Sequence, residues 1–251
     1  MPDSFLGARR FLNIAHRGAS AVAPENTLAA FEKAEALGAD GVELDVRLCA
    51  DGVPVVIHDA SVDRTTGGSG RVADMPLTQL KELDAGSWFG PAFSKEPIPT
   101  LTETLETVGG KLILNIELKG EGLLNRGLVR AVVDVIRKHG LGKRVLLSAF
   151  NPFTLRRVQK IAPQLPTALL YASASLPHFA SLIARRPYAA LHPHVAALSA
   201  EHVDRIRRHN HRIHVWTVDD PREMRRLIRW DVDGIITNVP DELCRLLERE
   251  S

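Results

Sequence analysis

Two cysteines, near-balanced charge and no long apolar run together remove several classes of protein before any motif is read. Cys49 and Cys244 lie far apart and match no metal-ligating or redox spacing, so they are expected to be reduced thiols. Lys and Arg number 32 against 30 Asp and Glu, a formal charge of +2 without a long block of one sign. A dedicated nucleic-acid binder would show a basic stripe, and none is present. No stretch approaches the roughly 18 apolar residues that a membrane span requires. The opening residues, "MPDSFLGARRFLNIAHRG", carry an acid early and two adjacent arginines in the middle, where a signal peptide would need an apolar run. The expectation is a soluble, cytoplasmic protein with no membrane insertion and no nucleic-acid partner; nothing in the residues bears on oligomeric state. Low-complexity tracts and dividing linkers are also missing, so residues 1–251 are read as one domain.

What is present is a repeating alternation. Strand-like apolar runs at 11–18, 41–48, 111–119, 144–150, 166–172, 189–195, 212–219 and 233–240 are, nearly all, followed by helical patterns. Those patterns start near Pro24 and at 122–139, 152–161, 176–184, 199–209, 221–230 and 241–249. Eight such βα units predict an α/β fold, the (β/α)₈ TIM barrel, whose usual length is about 250 residues. The rhythm breaks once. After 41–48, Asp51-Gly52 predicts a two-residue hairpin turn that pairs residues summing to 103, with His58 opposite Asp45. A structureless loop over 60–100 would be too long for a compact domain. The segment, with a helical run at 77–85, is therefore read as a small inserted cap after strand two.

In a barrel of this kind catalytic groups stand at the C-terminal ends of the strands. His16 and Arg17 end strand one. Glu43 and Asp45, two residues apart, point the same way from strand two, and Glu117 and Lys119 repeat the spacing on strand three. Trp216 closes strand seven, and the hairpin returns His58 to Asp45. Three carboxylates aimed at one mouth would repel each other, so the cluster calls for one divalent cation. An all-oxygen set favours Mg²⁺ or Ca²⁺, with Mn²⁺ also compatible, over zinc. Arg17 and Lys119 remain to hold an anion, for which phosphate fits in geometry and charge. Two histidines beside a metal-held phosphate point to paired acid and base in phosphoester cleavage.

The ordered set "AHRG" (15–18), "PENT" (24–27), "ELD" (43–45), "DGVPVVIHD" (51–59), "DRTTGGSG" (63–70), "ELK" (117–119) and "WTVD" (216–219) resembles the glycerophosphodiester phosphodiesterases over about the whole chain. The resemblance implies a barrel with a short cap and a small-molecule substrate such as glycerophosphocholine or glycerophosphoethanolamine, cleaved to glycerol 3-phosphate and an alcohol. It also implies Glu43, Asp45 and Glu117 as metal ligands, His16 and His58 as acid and base, and Arg17 and Lys119 at the phosphate. Trp216 is then expected to wall the glycerol moiety. Cys49 stands where Thr is common in the family and Asn238 where an acid is common; neither is expected to touch the chemistry. "PENT" is read as a helix start, with Pro24 or Glu25 in the first turn. Trp88 and Phe89 either shape the alcohol pocket or anchor the cap. Of His192 and His194, one or both line the barrel mouth.

Overall fold

The computed structural model describes residues 11–120, 126–172 and 187–250. Among them, nine strands form one sheet: β1 (Leu12–His16), β2 (Gly41–Leu48), β3 (Pro54–Val56), β4 (Ile113–Leu118), β5 (Val145–Ala149), β6 (Thr167–Tyr171), β7 (Ala190–Pro193), β8 (Arg212–Val215) and β9 (Gly234–Thr237). All but β3 run parallel, and β1 pairs with both β2 and β9, which closes eight strands into a TIM barrel. The helices are α1 (Leu28–Ala36), α2 (Leu77–Lys81), α3 (Leu101–Val108), α4 (Arg126–His139), α5 (Pro152–Ile161), α6 (Ala200–Arg207), α7 (Pro221–Arg229) and α8 (Pro240–Glu250). The eight barrel strands and the helix over 152–161 fall where the sequence periodicity predicts. The helix predicted at 176–184 and the first residues of the one predicted at 122–139 lie outside the described residues.

Strand residues alternate between two apolar environments. One set, including Val42, Leu44, Leu114 and Ile116, packs outward against the helices in the main core. The other, including Leu12, Ile14, Ile113, Leu146 and Ile236, fills the barrel's interior. The Glu43, Asp45 and Glu117 side chains share the phase of that inner set, so the pleat that buries the core also aims the carboxylates at the barrel axis. Among the described residues no helix is long and apolar enough to cross a membrane, and Cys49 and Cys244 are not joined in a disulfide.

Two local expectations are corrected. The hairpin between β2 and β3 pairs Val46 with Val56, where the predicted register would put Val46 opposite Ile57. Its loop has three residues, Ala50–Gly52, closed by the Cys49 amide donating to the Val53 carbonyl at 3.1 Å. Gly52 sits at φ +74°, the left-handed position that a three-residue hairpin loop needs, so the Gly signal was right and the loop length wrong. Helix α1 starts at Leu28, after "PENT". Thr27 is its N-cap and accepts from the Ala30 amide at 3.2 Å, while Asn26 at φ +58° is barred from the helix.

Cys49, Val55 of β3 and the residues Ile57, Val62, Val72, Met75, Leu80, Ala85 and Ile98 after it build a second apolar cluster, distinct from the main core. This inserted segment is tied down at both ends. The Val56 amide donates to the Pro99 carbonyl at 2.8 Å, and Lys81 binds Glu103, whose carboxylate also closes a capping box with Thr100 at the start of α3. Trp88 donates to the Ala85 carbonyl at 2.8 Å and meets Phe89 edge-on, so these aromatics anchor the segment to itself.

The chain turns into the site through Arg17 and Gly18, both at positive φ (56° and 83°). A Cβ on Gly18 would stand 2.7 Å from the backbone of Ala30. Gly18→Ala therefore combines left-handed strain with overlap against a buried helix backbone and is expected to destabilise the fold by about 2–5 kcal/mol. Chemical denaturation checks this, and a loss below roughly 1 kcal/mol would mean that the close approach is not rigid.

Candidate active site

At the C-terminal end of the barrel a cavity of about 230 Å³ is lined by His16, Arg17, Glu43, His58, Glu117, Lys119, Phe150, Leu170, Trp216 and Ile236. Seven of these are residues singled out from sequence. The eighth, Asp45, is 1% exposed and lies beneath the rim, bound by Arg17 and Lys119. Wider grooves exist elsewhere, such as one of about 530 Å³ along α4 and α5, but that one is lined by Arg and Lys without a carboxylate.

Glu43, Asp45 and Glu117 each offer an oxygen within 4.8 Å of the other two, and all three are buried. Burial and the charges of Asp45 and Glu117 hold the Glu43 carboxyl well above the usual range. Burial and Asp45 push Glu117 up to about 7. Asp45 goes the other way: burial would raise it, but Lys119 and Arg17 outweigh that and hold it near 2. Two cations thus stabilise one carboxylate fully and leave two in want of positive charge. That imbalance, with an all-oxygen donor set, fits a hard divalent cation.

The cations are held by the same carboxylates. Lys119 Nζ lies 2.7 Å from Glu117 and 3.2 Å from Asp45, and Arg17 Nε lies 3.2 Å from Asp45. Burial opposes the charge on both, but the neighbouring carboxylates prevail, so both stay protonated. Arg17's left-handed backbone also turns its amide onto Glu43 Oε2 at 3.1 Å. Asn26 clamps Asp45 from behind, donating from Nδ2 to Oδ2 at 2.9 Å and accepting the Asp45 amide at 3.2 Å. The "PENT" turn is therefore a support for a carboxylate, a role that helix-start signals could not disclose.

Each histidine is fixed through Nδ1. His16 Nδ1 lies 2.7 Å from Asn238 Oδ1, while Asn238 Nδ2 donates to Asp219 Oδ2 at 2.6 Å. A carboxylate only accepts, so Asn238 must turn its oxygen to the histidine, and Nδ1 must carry the proton. The expectation that Asn238 stands apart from the chemistry is corrected: it orients His16. His58 Nδ1 donates to Asp59 Oδ1 at 2.6 Å. The His58 backbone is held by Arg47 Nε, which donates to its carbonyl at 2.8 Å, and by the adjacent Ile57 amide on the Asp45 carbonyl. This explains how His58 reaches the cavity despite the shifted hairpin register: it lies past the end of β3, where the pleat no longer dictates its face. Burial lowers both imidazoles below their ordinary value, for His16 aided by Arg17 and for His58 partly offset by Asp45.

The remaining wall is apolar. Trp216 donates from Nε1 to the His192 carbonyl at 2.7 Å and meets Phe150 edge-on with centroids 5.5 Å apart; Phe150 also faces Lys119 Nζ at 5.9 Å. Phe150, 46% exposed just past β5, was missed in the sequence reading, although a strand-end aromatic is the signal that singled out Trp216. His192 is fully buried within the barrel against His214 at 3.0 Å and His194 packs edge-on to Trp216; neither lines the cavity.

A sequence model described as the glycerophosphoryl diester phosphodiesterase family matches residues 16–242. The chain is similar to a glycerophosphodiester phosphodiesterase of Caldanaerobacter subterraneus subsp. tengcongensis, 43% identical over 95% of this chain and 98% of that one. It is also similar to one of Bacillus subtilis, 36% identical over 95% and 87%. Among solved structures it resembles an Oleispira antarctica phosphodiesterase in complex with the product sn-glycerol-3-phosphate, at 32% identity and a TM-score of 0.87 over 94% of this chain and 96% of that one. A glycerophosphodiester phosphodiesterase from Agrobacterium tumefaciens superposes at a TM-score of 0.80, with 33% identity over 92% and 97%.

Proposed function

Because this chain belongs to the glycerophosphoryl diester phosphodiesterase family, we propose that it hydrolyses glycerophosphodiesters such as glycerophosphocholine or glycerophosphoethanolamine to glycerol 3-phosphate and an alcohol, using one divalent cation and the pair His16 and His58. The observation that carries the reading is the interleaving of three buried carboxylates with Arg17 and Lys119 around one small cavity. The Oleispira enzyme's glycerol phosphate complex supports the product assignment.

Glu43, Asp45 and Glu117 would hold the cation, with Mg²⁺ or Ca²⁺ best suited to their oxygens and Mn²⁺ compatible. Once bound, the ion supplies Lewis-acid neutralisation of the phosphoryl oxygens. Arg17 and Lys119 bind the phosphate anion, Arg17 through a planar fork and Lys119 as a point charge. With both Nδ1 atoms engaged, the two histidines work through Nε2: one accepts the proton of the attacking oxygen, the other protonates the departing alkoxide as the P–O bond breaks. Trp216 and Phe150 pack the glycerol and keep water from that side. A cavity of about 230 Å³ suits the glycerol phosphate portion, and the alcohol extends past the rim.

The test is glycerol 3-phosphate release from glycerophosphocholine and glycerophosphoethanolamine by chelator-stripped protein, with Mg²⁺, Ca²⁺ or Mn²⁺ restored singly. Turnover should vanish on stripping and return with at least one ion. Full activity without any divalent ion would refute the cation, and silence with all three, in folded protein, would refute the substrate.

A further inference from the structure

Between the phosphate-side Arg17 and the inserted segment's His58 runs an unbroken line of charged contacts. Arg17 donates from Nη1 to Glu25 Oε1 at 2.8 Å. Arg64 forks onto the same carboxylate, Nη1 to Oε2 and Nη2 to Oε1, both at 2.8 Å. Its Nε donates to Asp59 Oδ2 at 2.6 Å, and the other Asp59 oxygen accepts from His58 Nδ1 at 2.6 Å. Glu25 belongs to the turn before α1, whereas Asp59 and Arg64 belong to the segment after β3. One guanidinium therefore joins the barrel to the segment that carries His58.

We propose that Arg64 is a positioning residue for His58: by gripping Asp59 and Glu25 together, it locks the Asp59 carboxylate onto the histidine's Nδ1 and fixes the inserted segment against the turn before α1. An isolated surface ion pair would do little, and Arg64 is 46% exposed. This one differs because three donors are engaged on two partners in fixed geometry, and because each partner is itself held, Glu25 by Arg17 and Asp59 by His58. Without Arg64, the Asp59 side chain is free to swing to water, taking with it the bond that aims the imidazole. Lys cannot replace the grip, since an ammonium has no planar fork to span two carboxylates. The segment "DRTTGGSG" thereby acquires a role for its arginine.

The inference rests on the proposed role of His58, and the test separates the two. In the full-length protein, Arg64→Ala is expected to lower kcat on glycerophosphocholine by about 10–50-fold with KM changed less than roughly threefold. The melting midpoint should stay within about 3 °C, as befits an exposed side chain. Arg64→Lys should recover only part of the loss, and added guanidinium should partly rescue Arg64→Ala but not Asp59→Asn. The double variant Asp59→Asn/Arg64→Ala should be no slower than Asp59→Asn alone, because the two act as one unit. A kcat within twofold of wild type, or losses that multiply in the double variant, would overturn the proposal. Should wild type cleave no glycerophosphodiester, the functional reading fails but the positioning claim is still decided. A low-field NMR signal from the His58 Nδ1 proton, assigned by its loss in His58→Ala, should disappear in Arg64→Ala, and its persistence there refutes the claim. If Arg64→Ala does not fold, Arg64→Lys and Glu25→Gln carry the same comparisons.

Discussion

Glu117→Gln is expected to cut turnover roughly a thousandfold or more while leaving the metal-free protein at least as stable as wild type at pH 8. The carboxyl is 6% exposed and pushed up to about 7 by burial and by Asp45, so its charge is a burden on the metal-free fold. Gln keeps the shape of the neutral form and can still accept from Lys119, which lies 2.7 Å away. The sign follows from linkage. A folded value above the ordinary 4.5 gives stability that is full below that value and lost as pH rises through about 7. The Gln variant lacks that decline, so the two unfolding curves should part between about pH 4.5 and 7 and stay apart above neutrality. Divalent metal should raise the melting point of wild type, since it binds the carboxylates assembled in the folded state and not the unfolded chain, and should do little for the variant. Asp45→Asn provides the contrast. Its buried carboxylate, held near 2, is shared by Arg17 and Lys119, and removing it strips both partly buried cations of that common partner, leaving Arg17 only Glu25 and Lys119 only Glu117 in direct contact. That change should also abolish turnover but destabilise the protein by about 3–5 kcal/mol. Equal stability losses in the two variants would mean that the carboxylates do not divide their roles as their surroundings indicate.

The difference between Asp45 and Glu117 marks where sequence reasoning stops. Both were legible as members of one cluster, because a two-residue spacing on a strand fixes the face and a barrel fixes the end. Their division of labour was hidden, because it depends on how near Lys119 and Arg17 come to each carboxylate. The barrel itself was legible from eight apolar runs of strand length. The hairpin register was not, since a two-residue and a three-residue loop both use Gly52 at positive φ. Supporting residues were the least visible class. Asn26, Asp59, Arg64 and Asn238 are polar groups in turns, where polar residues need no special explanation, and their roles arise from contacts 19 to 222 positions distant or from a neighbour's ring nitrogen. Asn238 is the sharpest case. An amide can hold a histidine proton as a carboxylate can, provided that something turns its oxygen inward, and Asp219 does so.

His16→Ala and His58→Ala should each lower kcat on glycerophosphocholine by about 10²–10⁴-fold, the range of positioned acid and base catalysis. The two losses should separate when the leaving group changes. An alkoxide leaves poorly without a proton, whereas a nitrophenolate leaves unaided, so a glycerophosphodiester with a nitrophenyl ester no longer needs the general acid. The variant lacking the acid should regain most of its rate on that substrate, and the variant lacking the base should not. The surroundings of the two rings frame the choice. His16 is anchored to a neutral amide and lies deeper, its Nε2 4.0 Å from Glu43. His58 is anchored to an ionised carboxylate whose value is held near 2 against burial, by Arg64 and by the histidine itself. An Nδ1 partner that accepts favours the imidazolium form on both rings, but the carboxylate on His58 adds a full negative charge that the amide on His16 lacks, and the imidazolium is the form an acid must present. His58 is on that ground the stronger candidate for the acid, and His58→Ala is the variant expected to recover on the nitrophenyl ester. Recovery in His16→Ala instead would reverse the pair, and equal recovery in both would show that neither proton transfer governs the rate.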